Sequence, residues 1–392
     1  MSQPTVPSPP PHPLEPSAML AGLTPAEFMR CHWQKRPLLI RSAFPAIRPL
    51  LSRPKLFSLA RREDVESRLV VRGHGRGRAA WTVRHGPFPP GTLPSVDEPR
   101  WTLLVQGVDL HDDAAHRLLG AFRFLPDARL DDVMVSWASD GGGVGPHVDS
   151  YDVFLLQTQG RRRWRIGRQR NPAFVADAPL KILRRFDPEE EHVLEPGDML
   201  YLPPAWAHDG TAVGGNCMTC SIGFRAPRRR ALAAELVQHL TDREADDDLL
   251  YDDAQATATT RPAELPATLK DFALQTLRAL SEQPDEVSCA LGEVLTDLKP
   301  NVYFDEPKRR WTVGAVVLDR RTRMLYDEKH VFVNGESFRA TGGDARLMRR
   351  LADRRRLDAQ AVRAASTAAR ALLREWFHAG WLHAEARQPP RV

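Results

Sequence analysis

Between residues 131 and 226 the chain is a continuous alternation of short apolar runs and turns containing Gly or Pro. Such runs read as strands, and so many in one stretch bury their apolar faces by curling into a barrel or a sandwich. Two spacings then set where the turns fall. In GGGVGPHVDSYDVFLLQTQGRRRWRIG, five residues separate Gly141 from His147, one separates His147 from Asp149, and ten separate Asp149 from Gly160. In EPGDMLYLPPAWAHDG, five residues separate Gly197 from Pro203, and four separate Pro203 from His208. Strand residues two apart point the same way, so His147 and Asp149 can face one point. A turn, an apolar strand and a second turn bring His208 to the barrel mouth, 59 residues beyond Asp149.

Two imidazoles and one carboxylate are the donor set of non-haem Fe(II) oxygenases, which keep three coordination positions open. A 2-oxo acid can take two of these and O2 the third. His147, Asp149 and His208 are therefore the candidate metal ligands and catalytic residues. The bland alternative is two turn residues and a core histidine. The paired spacings resemble those of the cupin superfamily, with departures. Asp149 replaces the usual second histidine, the usual glutamate position falls near Val153 or Phe154, and Ala205 stands where glycine is common. These departures favour the three-ligand iron site over four-ligand cupin metals.

In GRRRWRIG one parity is Arg161, Arg163 and Arg165, and the other is Arg162, Trp164 and Ile166. Two of the three members of the second set are large and apolar, so that set is the core face and Arg162 points into the barrel. A buried guanidinium needs an anion, and its fork matches a carboxylate. The distal carboxylate of 2-oxoglutarate is such an anion; an internal Asp or Glu is the alternative.

Outside the barrel, LTPAEFMRCHWQKRP reads as a helix with Thr24 as N-cap, Pro25 in the first turn and Glu27 closing a capping box. Beyond Pro227 the pattern turns helical, then alternates like strands through RRWTVGAVVLDRRTRMLYDEKHVFVNGESFRA, and ends in two helices with Gly380 as a helix stop. The 392 residues suffice for two or three domains. No run of 18 apolar residues suggests a membrane span, and the Pro-rich first 19 residues lack a secretory pattern. Four cysteines are too few for a disulfide framework, so a cytoplasmic setting is expected. Cys217 and Cys220 form a C-x-x-C inside a strand, which reads as structural rather than redox-active. The net charge of +5 reads as a solvated basic face, and direct nucleic-acid binding is not expected. Trp81, Trp101, Trp137, Trp164 and Trp206 read as barrel core.

GGGVGPHVDSYDVFLLQ with GRRRWRIG, LYLPPAWAHDG, SIGFRAP and the opening WQKRPLLIRSAFP resemble the bacterial ribosomal oxygenases of the JmjC and cupin type. The resemblance runs from about residue 20 into the C-terminal region. It implies an α+β chain: a double-stranded β-helix (cupin or jelly-roll) core, a helical dimerisation region and a C-terminal winged-helix-like domain. The corresponding limits are 1–19 for a disordered lead-in, 20–227 for the catalytic domain, 228–298 for the helical region and 299–392 for the last domain. It implies iron on His147, Asp149 and His208, and 2-oxoglutarate on Arg162, Ser136 and Thr219 (or Ser221), with O2 as second co-substrate. It also implies a homodimer that hydroxylates the β-carbon of an arginine in large-subunit ribosomal protein L-sixteen. Asp140, Tyr151, Asp152 and Asp209, beside the ligands in sequence, are candidate contacts for that arginine. Rival readings are histidine hydroxylation, lysine demethylation, or a non-catalytic cupin regulator with a DNA-binding end domain.

Overall fold

The computed structural model describes residues 19–45, 47–73, 81–169, 171–242, 249–254, 261, 263–307 and 310–385; nearly all of the expected lead-in lies outside them. The chain forms two compact units that divide between Ala226 and Pro227.

The first unit opens with helix α1 (Pro25–Cys31). The Thr24 hydroxyl accepts from Glu27 N at 3.2 Å, and the Glu27 carboxylate accepts from Thr24 N at 2.8 Å, which is the expected capping box. Ten strands follow, with helices α2 (Arg53–Leu59) and α3 (Asp113–Gly120) between them. They are β1 (Leu38–Ile40), β2 (Ser67–Arg72), β3 (Trp81–His85), β4 (Trp101–Val105), β5 (Leu130–Ala138), β6 (His147–Val148), β7 (Asp152–Arg168), β8 (Glu190–Leu194), β9 (Met199–Leu202) and β10 (Trp206–Phe224).

Strands β7 and β10 are the longest of the single ten-stranded sheet, and each half has its own neighbours. Their outer halves pair as Asp152–Gln159 against Met218–Phe224, joined by β9 and β1 on one side and β5, β4, β2 and β3 on the other. Their inner halves pair as Arg161–Arg168 against Trp206–Val213, flanked by β8 and β6. Both strands bend where side chains are least tolerated. Gly160 has φ +65°, and a Cβ there would meet Asn216 O at 2.9 Å. The β10 bend is Gly214, Gly215 and Asn216, all at positive φ, and the register slips between Val213 and Met218.

The core of this unit is apolar and aromatic. Trp101 and Trp137 are buried with rings 4.6 Å apart, and Trp164 is buried in a smaller cluster with Ile166 and Leu194. Trp81 and Trp206 depart from the core expectation. Each is half-buried, with the guanidinium of Arg72 or Arg168 lying 5.5 or 5.3 Å from the ring centre. Cys217 and Cys220 are both buried free thiols.

The second unit begins with α4 (Arg229–Thr241), α5 (Ala267–Ser281) and α6 (Pro284–Thr296). Two three-stranded sheets follow. One orders β15 (Arg356–Leu357), β11 (Val316–Leu318) and β16 (Leu382–Ala384); the other orders β12 (Met324–Tyr326), β13 (His330–Val333) and β14 (Glu336–Arg339). Helices α7 (Gly342–Arg354), α8 (Ala359–Ala364) and α9 (Thr367–His378) close a core that includes Val316, Met348, Leu373 and Trp376. Gly380, at φ +76°, stands two residues past the end of α9. Helix α6 packs on β13 so closely that a Cβ on Gly292 would lie 2.4 Å from the Phe332 ring. The stretch expected as a separate helical region thus shares packing with the small sheet. Burial opposes ionisation of Asp319, but donors from His383 (2.7 Å) and Arg321 (2.8 Å) prevail and hold its carboxyl below the usual range. No helix among the described residues is long and apolar enough to cross a membrane.

Candidate active site

Gly142 and Gly143 let the loop before β6 press onto its neighbours: a Cβ would lie 2.3 Å from Trp101 O at Gly142 and 2.3 Å from Gly210 O at Gly143. The loop then enters β6, whose His147 stands opposite His208 of β10. The two rings lie 4.2 Å apart, centre to centre. Asp149 Oδ2 is 4.0 Å from His147 Nε2 and 3.6 Å from His208 Nε2. One ligand atom from each of the three falls within 4.8 Å of the others, the only such cluster among the described residues.

The other ring nitrogens fix the tautomers. His147 Nδ1 is 2.8 Å from Gly145 O, and His208 Nδ1 is 3.0 Å from Trp206 O. A carbonyl can only accept, so each Nδ1 carries the hydrogen and each Nε2 keeps a lone pair toward Asp149. Burial first, and His147 second, hold the His208 imidazole down to about 4, so it is neutral at pH 7. Two imidazole nitrogens and one carboxylate oxygen around one point fit a divalent iron-type ion.

A cavity of about 400 Å³ opens over this cluster. Its lining includes Arg162, Ser136 and Thr219, together with Ser221. The alternation expected in GRRRWRIG is present: Arg162, Trp164 and Ile166 are buried, while Arg161 and Arg163 are exposed. Arg162 is 5 % exposed, and its Nη2 is buried without a hydrogen-bond partner. Its Nε donates to Cys217 Sγ at 3.5 Å, and no carboxylate pairs with it among the described residues. A guanidinium so placed is costly unless an anion enters. The Thr219 hydroxyl donates to Gln157 Oε1 at 2.8 Å, and the Ser136 hydroxyl to Thr219 O at 3.4 Å.

The rest of the lining differs from the sequence-based expectation. Of the four candidates for a target arginine, only Tyr151 lines the cavity. Burial, with Asp149 and Asp132 nearby, raises its phenol above the ordinary range, although the residue as a whole keeps 41 % exposure. Asp152 is fully buried and bonded to Tyr201 Oη at 2.6 Å, Gln34 and Arg129. Asp209 pairs with Arg165, and Asp140 accepts from Gly214 N at 2.8 Å. These three are structural. Besides Asp149, the carboxylates lining the cavity are Asp131, which pairs with Arg225 at 3.5 Å, and Asp132, both of β5. Asp132 is 6 % exposed, and its Oδ2 accepts from Gly107 N at 2.9 Å. The signal was parity: Asp132, Met134 and Ser136 share one face of β5.

A JmjC domain family model matches residues 117–232, and a ROXA-like winged helix model matches residues 276–383. Ribosomal protein uL16 3-hydroxylase of Escherichia coli is 36 % identical over 285 residues, which is 72 % of this chain and 74 % of the relative. The chain belongs to the JmjC-type ribosomal oxygenases. The structure of E. coli YcfD aligns with a TM-score of 0.81 at 31 % identity, over 92 % of this chain and 98 % of that one. YcfD in complex with cobalt and 2-oxoglutarate aligns at 0.78 with 30 % identity, over the same shares of the two chains. The architecture is therefore the ribosomal-oxygenase one: a JmjC cupin barrel followed by a ROXA-like winged helix. The winged-helix match starts inside α5, well ahead of residue 299.

Proposed function

We propose that this ribosomal oxygenase is an Fe(II)- and 2-oxoglutarate-dependent hydroxylase of the β-carbon of an arginine in ribosomal protein uL16. The observation that carries the reading is the make-up of one cavity. Its lining brings together a 2-His-1-carboxylate cluster, a buried guanidinium with an unpartnered Nη2, and the carboxylate of Asp132. The E. coli relative at 36 % identity carries the name of the uL16 activity, and YcfD holds cobalt with 2-oxoglutarate.

His147, Asp149 and His208 would hold the iron. When bound, the iron supplies activation of O2 coupled to oxidative decarboxylation of the 2-oxo acid. The chain's own residues do the positioning. Arg162 binds the distal carboxylate of 2-oxoglutarate, with Ser136 and Thr219 in the same lining. Asp132, with Tyr151 also in the lining, attracts and orients a cationic side chain, so that the carbon near its root faces the metal end. Buried Val153, Leu155 and Trp164 line the cavity and keep water from the reacting carbon. An arginine substrate is favoured over a histidine because the cavity lining is acidic. The test is mass spectrometry of ribosomal proteins incubated with enzyme, iron and 2-oxoglutarate. A +16 Da shift confined to one uL16 arginine is the expected result, and an unmodified uL16 counts against the reading.

The protein works as a cytoplasmic homodimer in this reading. Helices α4 and α5 bury no side chain, and Val237, Leu269, Leu274 and Leu277 are exposed along them. A second copy is the cover proposed for this apolar surface. A Leu274→Asp, Leu277→Asp variant should then fall from a dimer to the 44.0 kDa monomer in sedimentation. An unchanged mass would remove these helices from the interface.

A further inference from the structure

Arg68 of β2 is a second guanidinium on the cavity wall, and the function above does not use it. Across the large sheet Arg68 stands opposite Leu104, Leu104 opposite Ser136, and Ser136 opposite Thr219. Paired residues in a sheet share a face, so Arg68 continues that row. It therefore stands two strands beyond Ser136 on that face, farther out than Ser136 and Thr219.

Its bonding is incomplete. Arg68 Nη2 donates to Gln106 Oε1 at 3.0 Å. Its Nε is buried and has no hydrogen-bond partner, and no acid forms an ion pair with it among the described residues. Gln106 also lines the cavity, and because its carbonyl is engaged by Arg68, its amide N–H groups are what remain to offer. The pair therefore presents donors. It sits beside acceptors of opposite character: Asp132 is bonded to Gly107 N, the residue next to Gln106.

We infer that Arg68 and Gln106 form a subsite that takes a main-chain carbonyl oxygen of the substrate segment around the target side chain. This rests on the protein-hydroxylase reading. The chemistry selects the ligand in two steps. A buried, unpartnered N–H needs an oxygen acceptor. A substrate carboxylate would enter a cavity already lined by Asp132 and Asp149, whereas a neutral carbonyl escapes that repulsion. The subsite would pin the backbone while the acidic wall holds the side chain, fixing which carbon faces the metal end. Arg68 is in this sense a positioning residue.

The experiment uses the full chain with iron, 2-oxoglutarate and a synthetic uL16 peptide spanning the target arginine. Arg68→Met is expected to raise the peptide KM about 10- to 100-fold, the range of a lost charge-assisted hydrogen bond. The KM for 2-oxoglutarate should stay within about twofold, and Arg68→Lys should recover part of the loss. Peptides carrying a single thioamide, whose sulfur accepts poorly, are scanned alongside. One position should weaken turnover by the wild-type enzyme and cost Arg68→Met nothing further. A peptide KM unmoved by Arg68→Met, an equal rise in the 2-oxoglutarate KM, or a wild-type enzyme indifferent to every thioamide would overturn the subsite while leaving the hydroxylase reading intact. The thioamide scan decides the matter even if the variant folds poorly. Sensitivity to neutralising an acidic peptide side chain, rather than to a thioamide, would replace the carbonyl with a carboxylate and so overturn the inference. No turnover of any peptide by the wild-type enzyme would overturn the hydroxylase reading and the subsite with it.

Discussion

A His208→Ala variant is expected to lose at least about 1,000-fold of 2-oxoglutarate-dependent turnover while keeping its secondary structure. His208 is 3 % exposed, and its orientation is fixed by the Trp206 carbonyl at 3.0 Å. Truncation leaves one imidazole and one carboxylate, and two donors hold a divalent ion far more weakly than three. Loss of a group that merely orients a ligand already costs about 10- to 100-fold in affinity or activity, so loss of a ligand itself should cost more. Ferrous-ion titration and succinate release measure the two consequences separately. Turnover within tenfold of wild type, at the same iron requirement, would remove His208 from the ligand set. The fold should survive, because the imidazole is neutral and its removal leaves a small cavity rather than an uncompensated charge.

An Arg162→Met variant should move activity and stability in opposite directions. The wild-type guanidinium is buried, its Nη2 has no partner, and no carboxylate faces it among the described residues. Methionine of similar length removes that desolvated charge, so the protein without 2-oxoglutarate should gain about 1–3 kcal/mol. The same change deletes the bidentate partner of the co-substrate, and the KM for 2-oxoglutarate should rise about 100-fold or more. Thermal melts with and without 2-oxoglutarate read both effects. The wild type should gain stability from the ligand by mass action, and the variant should not. A variant that melts lower and still binds 2-oxoglutarate would mean Arg162 is a structural cation.

The site was legible in the sequence where one strand or one turn sufficed to place a residue. The parity of GRRRWRIG placed Arg162 inward because its alternation is clean: buried at 162, 164 and 166, exposed at 161 and 163. The two glycine-led spacings anticipated the meeting of His147, Asp149 and His208 because turns at both ends of short strands leave little freedom. Strand β5 was harder to read. Val133 and Val135 pack into the core on one face, while Asp132, Met134 and Ser136 line a cavity on the other. A polar face turned to a cavity is written like a face turned to solvent, so Asp132 went unnoticed beside Ser136. Asp152 and Asp209 show the reverse error: neighbours of the ligands along the chain point into structural ion pairs. Arg68 was illegible for a third reason. Only the register of β2 against β4, and of β4 against β5, carries it to the same wall as Ser136.

The bends at Gly160 and at Gly214–Asn216 have a mechanical consequence. They turn β7 and β10 back on themselves within one sheet, and those two strands carry His208, Arg162 and Thr219. A substitution that alters either bend is therefore expected to disturb the metal and co-substrate residues together.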